Sequence, residues 1–113
     1  MLVICYGMPK SGSTLAFELV RGVLMNGGHD QRKIRTSIGI KRRGPGNHLA
    51  AVSRSALEHA IGEIGPDRTV AAKTHLPLPV PLFGWLETMQ AARKIQVIAS
   101  YRDPRDMVLS MLD

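Results

Sequence analysis

The sequence predicts an α/β fold: a three-layer α/β/α arrangement around a parallel sheet, with the chain ending inside its last helix. Three observations lead there. Short apolar runs, Leu2–Tyr6, Thr69–Lys73 and Ile95–Tyr101, read as strands, and runs without polar alternation suit strands buried on both faces. Stretches of helical periodicity separate them, and that alternation belongs to parallel sheets with right-handed crossovers. Polar, chemically loaded residues gather just after each run, where such sheets bind ligands.

The elements follow in order. Residues 2–6 are the first strand. The helix from Leu15 to Asn26 carries Leu15, Leu19, Val20, Val23 and Leu24 as its apolar stripe, with Glu18 and Arg21 opposite, and Asn26-Gly27-Gly28 stops it. Residues 29–52 lack periodicity and form a long basic connection, with Arg32, Lys33, Arg35 and Lys41-Arg42-Arg43 against the one acid Asp30. A connection of that length is functional or mobile, and a solvated basic loop and an anion-binding loop are both open. Ser55-Ala56-Leu57-Glu58 fits a capping box opening a second helix, with Leu57, Ala60, Ile61 and Ile64 inward and Gly65-Pro66 as the stop. After the second strand, Pro77, Pro79 and Pro81 break regular structure, and Phe83–Arg93 reads as a helix packing Phe83, Leu86 and Met89. After the third strand, Asp103 suits N-cap and Pro104 suits N1 of a last helix, with Met107, Val108, Met111 and Leu112 as its apolar face,.

The loop Gly7-Met8-Pro9-Lys10-Ser11-Gly12-Ser13-Thr14 lies between the first strand and the first helix. Backbone N–H groups of such a loop, with a helix N-terminus behind them, can wrap a phosphate. Lys10 adds a charge, and Ser13 and Thr14 add hydroxyls. A Walker A loop reads G-x-x-x-x-G-K-[ST]. Gly7 and Gly12 have that spacing, but Ser13 occupies the lysine position and the lysine stands at Lys10. The loop is therefore P-loop-like without being a Walker A loop, which disfavours ordinary ATP or GTP hydrolysis. An ordinary strand–turn–helix with a solvated lysine is the alternative.

Composition sets bounds. With 113 residues the chain has room for one small domain, and 44% hydrophobic residues exclude global disorder,. The net charge of +6 favours an anionic partner,, although the basic connection has no interleaved aromatics of the kind that stack single-stranded nucleic acid. A single cysteine, Cys5, rules out a disulfide within the chain and reads as a buried strand residue,. It points to a reducing, cytoplasmic setting. The first apolar run is too short for a signal peptide and has no basic leader. No window approaches the roughly 20 apolar residues of a membrane span.

Three motifs together resemble a family. Pro9-Lys10-Ser11-Gly12-Ser13-Thr14 is similar to the 5′-phosphosulfate-binding loop of PAPS-dependent sulfotransferases, commonly P-K-S-G-T-T-W. Lys73-Thr74-His75-Leu76-Pro77 is similar to their K-[ST]-H-L-P segment. Arg102-Asp103-Pro104-Arg105-Asp106 with Ser110 resembles their 3′-phosphate segment, R-N-P-K-D with a serine eight residues past the arginine. The three occur in family order across nearly the whole chain, which would make residues 1–113 the N-terminal, donor-binding part of a sulfotransferase domain of the cytosolic type.

The resemblance implies 3′-phosphoadenosine 5′-phosphosulfate as co-substrate, a small-molecule hydroxyl or amine acceptor, and no metal. It implies that Pro9, Lys10, Ser11, Gly12, Ser13 and Thr14 hold the 5′-phosphate. Lys10 would stabilise the leaving phosphate oxygen, the general logic of electrostatic catalysis. His75 would take the acceptor proton, a role that suits imidazole. Lys73 would assist at the sulfuryl oxygens, and Arg102 and Ser110 would hold the 3′-phosphate. For each there is a plainer reading: His75 a polar rim residue, Lys73 a strand-end charge, Arg102 a partner of Asp103 or Asp106, Ser110 a helix residue. His29, His48 and His59 are given no role.

The chain departs from the family at Leu15, where an aromatic usually stacks on adenine, and at Asp103 and Arg105, where asparagine and lysine are commoner. The family's later R-K-G-x-x-G segment is missing, so the domain reads as incomplete at its C-terminus. An atypical P-loop kinase-like protein, a non-catalytic basic binding module and an inactive fragment are the competing readings.

Overall fold

The computed structural model describes residues 1–8, 11–34 and 46–112; Pro9, Lys10, residues 35–45 and Asp113 lie outside the described residues. The chain is α/β. Four strands, β1 (Leu2–Gly7), β2 (Asn47–His48), β3 (Val70–Thr74) and β4 (Ile95–Ser100), form one parallel sheet in the order β2-β3-β1-β4. The helices are α1 (Ser13–Asn26), α2 (Arg54–Ile64), α3 (Phe83–Ala91) and α4 (Pro104–Leu112), and a single 3₁₀ turn, Val80–Leu82, leads into α3.

The runs at β1 and β3 are apolar because those strands are buried on both sides, whereas in β4 only Ile95 is buried. In β1, Leu2 and Ile4 join Leu57, Ala60 and Ile64 of α2, Leu86 of α3, Val70, Ala72 and Ile95 in the larger core. Val3 and Cys5 turn the other way, onto Phe17 of α1 and Ala71. Each fully buried Leu or Ile contributes roughly 1.5–3 kcal/mol, so the centre of the sheet carries most of the stability. The small residues Ala71 and Ala72 leave room for helices on both sides of β3. At Gly46 a Cβ would sit 2.6 Å from a Phe17 ring carbon; only glycine lets the chain pass so close to that ring.

The long connection is partly ordered by side chains that finish the edge of β3. Gln31, 6% exposed, accepts from the Ala71 N–H at 2.9 Å and donates to the Thr69 carbonyl at 2.7 Å. The buried Asn47 accepts from the Ile34 N–H at 2.9 Å, and His29 Nδ1 accepts from the Thr69 N–H at 3.1 Å. The bonds at Thr69 and Ala71 satisfy backbone groups that a longer edge strand would otherwise pair,.

Several expectations are corrected. The sheet has four strands rather than three, because Asn47–His48 pairs with Ala72 and Lys73. α2 is capped by Ser53, whose Oγ accepts from the Ala56 N–H at 3.3 Å, and not by a Ser55 capping box. α3 ends at Ala91 rather than Arg93. α1 buries Ser13 and Phe17, with Val20 and Leu24 partly covered, whereas Leu15, Leu19 and Val23 are exposed. In α4 only Met107 is buried, and Val108, Met111 and Leu112 are exposed. The Lys41-Arg42-Arg43 cluster and Arg35 lie outside the described residues. No helix among the described residues is long and apolar enough to cross a membrane.

Candidate functional site

The sheet register brings the three motif segments to one rim. Tyr6 pairs with Thr74 and Gly7 with Ser100, so β1, β3 and β4 end side by side. The segments after β1 and β3 then diverge. Phe17 of α1 packs on the Val3 and Cys5 side, and Leu86 of α3 on the Leu2 and Ile4 side. Adjacent strands whose continuations part in this way leave a crevice between their carboxyl ends.

Gly7 opens that crevice. A Cβ there would lie 2.7 Å from Ser11 Oγ, 2.8 Å from Ser13 Cβ and 3.0 Å from Ser100 Cβ. The chain can turn this tightly only without a side chain. Ser11 fastens the turn: its Oγ donates to the Met8 carbonyl at 2.6 Å and its N–H to the same oxygen at 3.1 Å. Gly12 is left-handed, with φ 85°, and stands as N-cap of α1 with no side-chain cap. No acid occupies the first turn of that helix. The positive end of the helix dipole thus faces the rim. Pro9 and Lys10, both expected in the phosphate cradle, lie outside the described residues.

Lys73 and His75 come from β3. Lys73 is 8% exposed, and its Nζ donates to Thr14 Oγ1 at the start of α1. A buried ammonium beside a helix N-terminus puts two positive potentials together, an arrangement that favours an anion between them. His75 Nδ1 lies 2.5 Å from the Gly7 carbonyl oxygen. A carbonyl only accepts, so Nδ1 carries the proton, and the neutral ring has its lone pair on Nε2. Thr74, fully buried, locks the turn between them. Its Oγ1 donates to the Leu49 carbonyl at 3.3 Å and accepts from the Leu76 N–H at 3.0 Å.

Arg102 follows β4, two residues past Ser100, and is exposed; Ser110 is half-buried on α4. Asp103 caps that helix as expected, accepting from the Arg105 N–H at 2.8 Å. Arg105 pairs with its carboxylate at 3.0 Å. Hydrogen bonds from the Arg105 guanidinium and N–H hold the Asp103 carboxyl below the usual range.

Sequence reasoning missed His48. Register sets it opposite Lys73, and its ring centroid lies 6.2 Å from that of His75, tilted by 56°. No local pattern marks it, because β2 is two residues long. Cys5 is no nucleophile: burial pushes its thiol up to about 11. Among the described residues no three His, Cys, Asp or Glu side chains gather to hold a metal ion. No protein-family model, curated protein or solved structure gives a significant match to the chain.

Proposed function

We propose that the chain is the donor-binding part of a sulfotransferase, in a P-loop-like three-layer α/β/α setting, that moves a sulfuryl group from 3′-phosphoadenosine 5′-phosphosulfate to a small-molecule acceptor. The observation that carries the reading is the bond between His75 Nδ1 and the Gly7 carbonyl. It ties a base-competent imidazole to the start of a phosphate cradle, the pairing that sulfuryl transfer needs. The cradle fits an anionic donor: an uncapped helix N-terminus, a glycine whose Cβ has no room, and a buried lysine.

The donor supplies the sulfuryl group and an oxygen that leaves with its phosphate. The N–H groups at the start of α1, with Ser11, Gly12, Ser13 and Thr14, bind that 5′-phosphate. Lys73 faces the same end of α1 and stabilises charge on the transferring group. Lys10 is assigned the leaving oxygen on the motif alone. His75 Nε2 accepts the acceptor proton, and Arg102 with Ser110 grips the 3′-phosphate. The lysine missing from the Walker position counts against a nucleoside triphosphate kinase.

The test is equilibrium binding of 3′,5′-bisphosphoadenosine against 5′-AMP. A charge-assisted contact is worth about 1.5–3 kcal/mol, so the 3′-phosphate should tighten binding roughly tenfold or more. Arg102→Ala should abolish most of that difference. Equal affinity for the two nucleotides overturns the assignment.

A further inference from the structure

His48 and His75 lie near each other at the rim, with ring centroids 6.2 Å apart and planes tilted by 56°. The rings do not stack. Each ring nitrogen lies about 1 Å from its centroid, so nitrogens of the two rings come no closer than about 4 Å, beyond a direct hydrogen bond. An oxygen atom about 2.8 Å from a nitrogen of each ring needs those nitrogens within roughly 5.6 Å of one another, which a centroid separation of 6.2 Å permits,. Bonds on either side fix the backbone at His48. Asn47 before it is 1% exposed and bonded to Ile34, and the Leu49 N–H after it donates to the Lys73 carbonyl at 2.8 Å. The charged group nearest in register is Lys73; the described segments 46–50, 73–76, 7–8 and 11–14 contain no acid.

We propose that His48 is a positioning residue of the acceptor site, donating a hydrogen bond to the same acceptor oxygen whose proton His75 Nε2 receives. The inference rests on the sulfotransferase reading and adds a selection between acceptors. A hydroxyl oxygen donates its proton to His75, accepts from His48 with one lone pair and keeps a second lone pair for attack on sulfur. As the new oxygen–sulfur bond forms, the bond from sulfur to the 5′-phosphate oxygen breaks. Its electron pair leaves with that oxygen, the acceptor proton rests on His75, and His48 keeps its own. A neutral amine has only one lone pair. If His48 engages it, nothing remains to attack, so the pair favours hydroxyl over amine acceptors.

The test titrates the full chain with phenol and, separately, with aniline, while following the imidazole nitrogen resonances of His48 and His75. Phenol should shift both rings along one binding curve, with aniline weaker. His48→Ala should weaken phenol binding by roughly threefold to tenfold, the loss of one neutral hydrogen bond. His48→Gln, which keeps a donor at a similar reach, should restore most of it. Phenol shifting one ring only, or neither, overturns the proposal, and so does a His48→Ala chain that binds phenol as before. In turnover, His48→Ala should raise the KM for phenol by a similar factor while kcat moves less. Bisphosphoadenosine affinity reports on the donor reading alone and should be unchanged in both variants.

Discussion

At the carboxyl ends of β1 and β3, the side chains that build the turns are buried; beyond β4, most are exposed. Ser11, Ser13, Lys73 and Thr74 are all at most 8% exposed, and each of the turns they build is bonded within itself or to its neighbour. Beyond β4, Tyr101 is 90% exposed, and of α4 only Met107 is buried. The difference follows from strand order. β1 lies between β3 and β4, so its rim has neighbours on both sides, whereas β4 is an edge. On the proposed reading, a catalytic base and a phosphate cradle need fixed geometry, and the centre of the sheet supplies it. On that reading, a segment that grips the 3′-phosphate with a long arginine tolerates the looser edge.

Core truncation should expose that contrast most strongly. Ile4 is fully buried in the middle of β1, while Val108 on α4 is 57% exposed. Ile4→Ala should cost about 2–5 kcal/mol in denaturant unfolding, the range for cavity-forming core substitutions. Val108→Ala should fall within about 0.5 kcal/mol of zero, because an exposed helical valine loses little packing and alanine is the better helix former. Equal costs at the two sites would mean that α4 packs as tightly as the centre of the sheet.

The two glycines of the rim divide the comparison more finely. Gly7 is short of room, with three atoms at 3.0 Å or less from a Cβ; Gly12 has nothing within 4 Å but a φ of 85°. Gly7→Ala should therefore cost about 1–3 kcal/mol through overpacking and disturb His75, which hangs from its carbonyl. Gly12→Ala should cost about 1–2 kcal/mol through backbone conformation alone. Asparagine separates the causes, since it tolerates the left-handed region. Gly12→Asn should recover part of the loss, and Gly7→Asn should be worse than Gly7→Ala. Stability measured across the four variants checks the ordering.

Much of this was legible in the sequence, for physical reasons. Strands buried on both faces are mainly apolar, so β1 and β3 showed as runs; β4 showed as one too, although only Ile95 of it is buried, and all three have ends correct to a residue. The rim was legible because loop chemistry is local: Gly7 and Gly12 are there for space and for a positive φ. What escaped was set by distant partners. β2 is two residues long, and its pairing depends on Asn47 holding Ile34. Two apolar stripes compete on α1, and the one with Phe17, Val20 and Leu24 packs on Val3, Cys5 and Ala71 while Leu15, Leu19 and Val23 stay exposed. Ser53 and Ser55 can both cap, and only tertiary placement decides. His48 reaches His75 through a strand pairing that no spacing in the sequence announces.

The smallest effect expected lies at the edge itself. Asp103 caps α4 and pairs with Arg105, and its carboxyl titrates below the ordinary range because of those hydrogen bonds. A carboxyl depressed in the folded state adds stability that is present above its unfolded value, about pH 4, and is lost as the pH falls through the folded one. The pair is exposed, so salt and water screen it and the whole effect should stay local. Amide exchange at Met107, whose N–H donates to the Asp103 carbonyl at 3.2 Å, reads it directly. After correction for intrinsic rates, protection at Met107 should fall on acidification below about pH 4, while Ile4 in the sheet stays protected. Asp103→Asn keeps a capping oxygen and removes the charge. Its Met107 protection should start slightly lower at neutral pH and no longer change with acid. If the variant retains the full acid response, the fraying of α4 is driven by another carboxyl, with Asp106 in the same first turn the nearest in sequence.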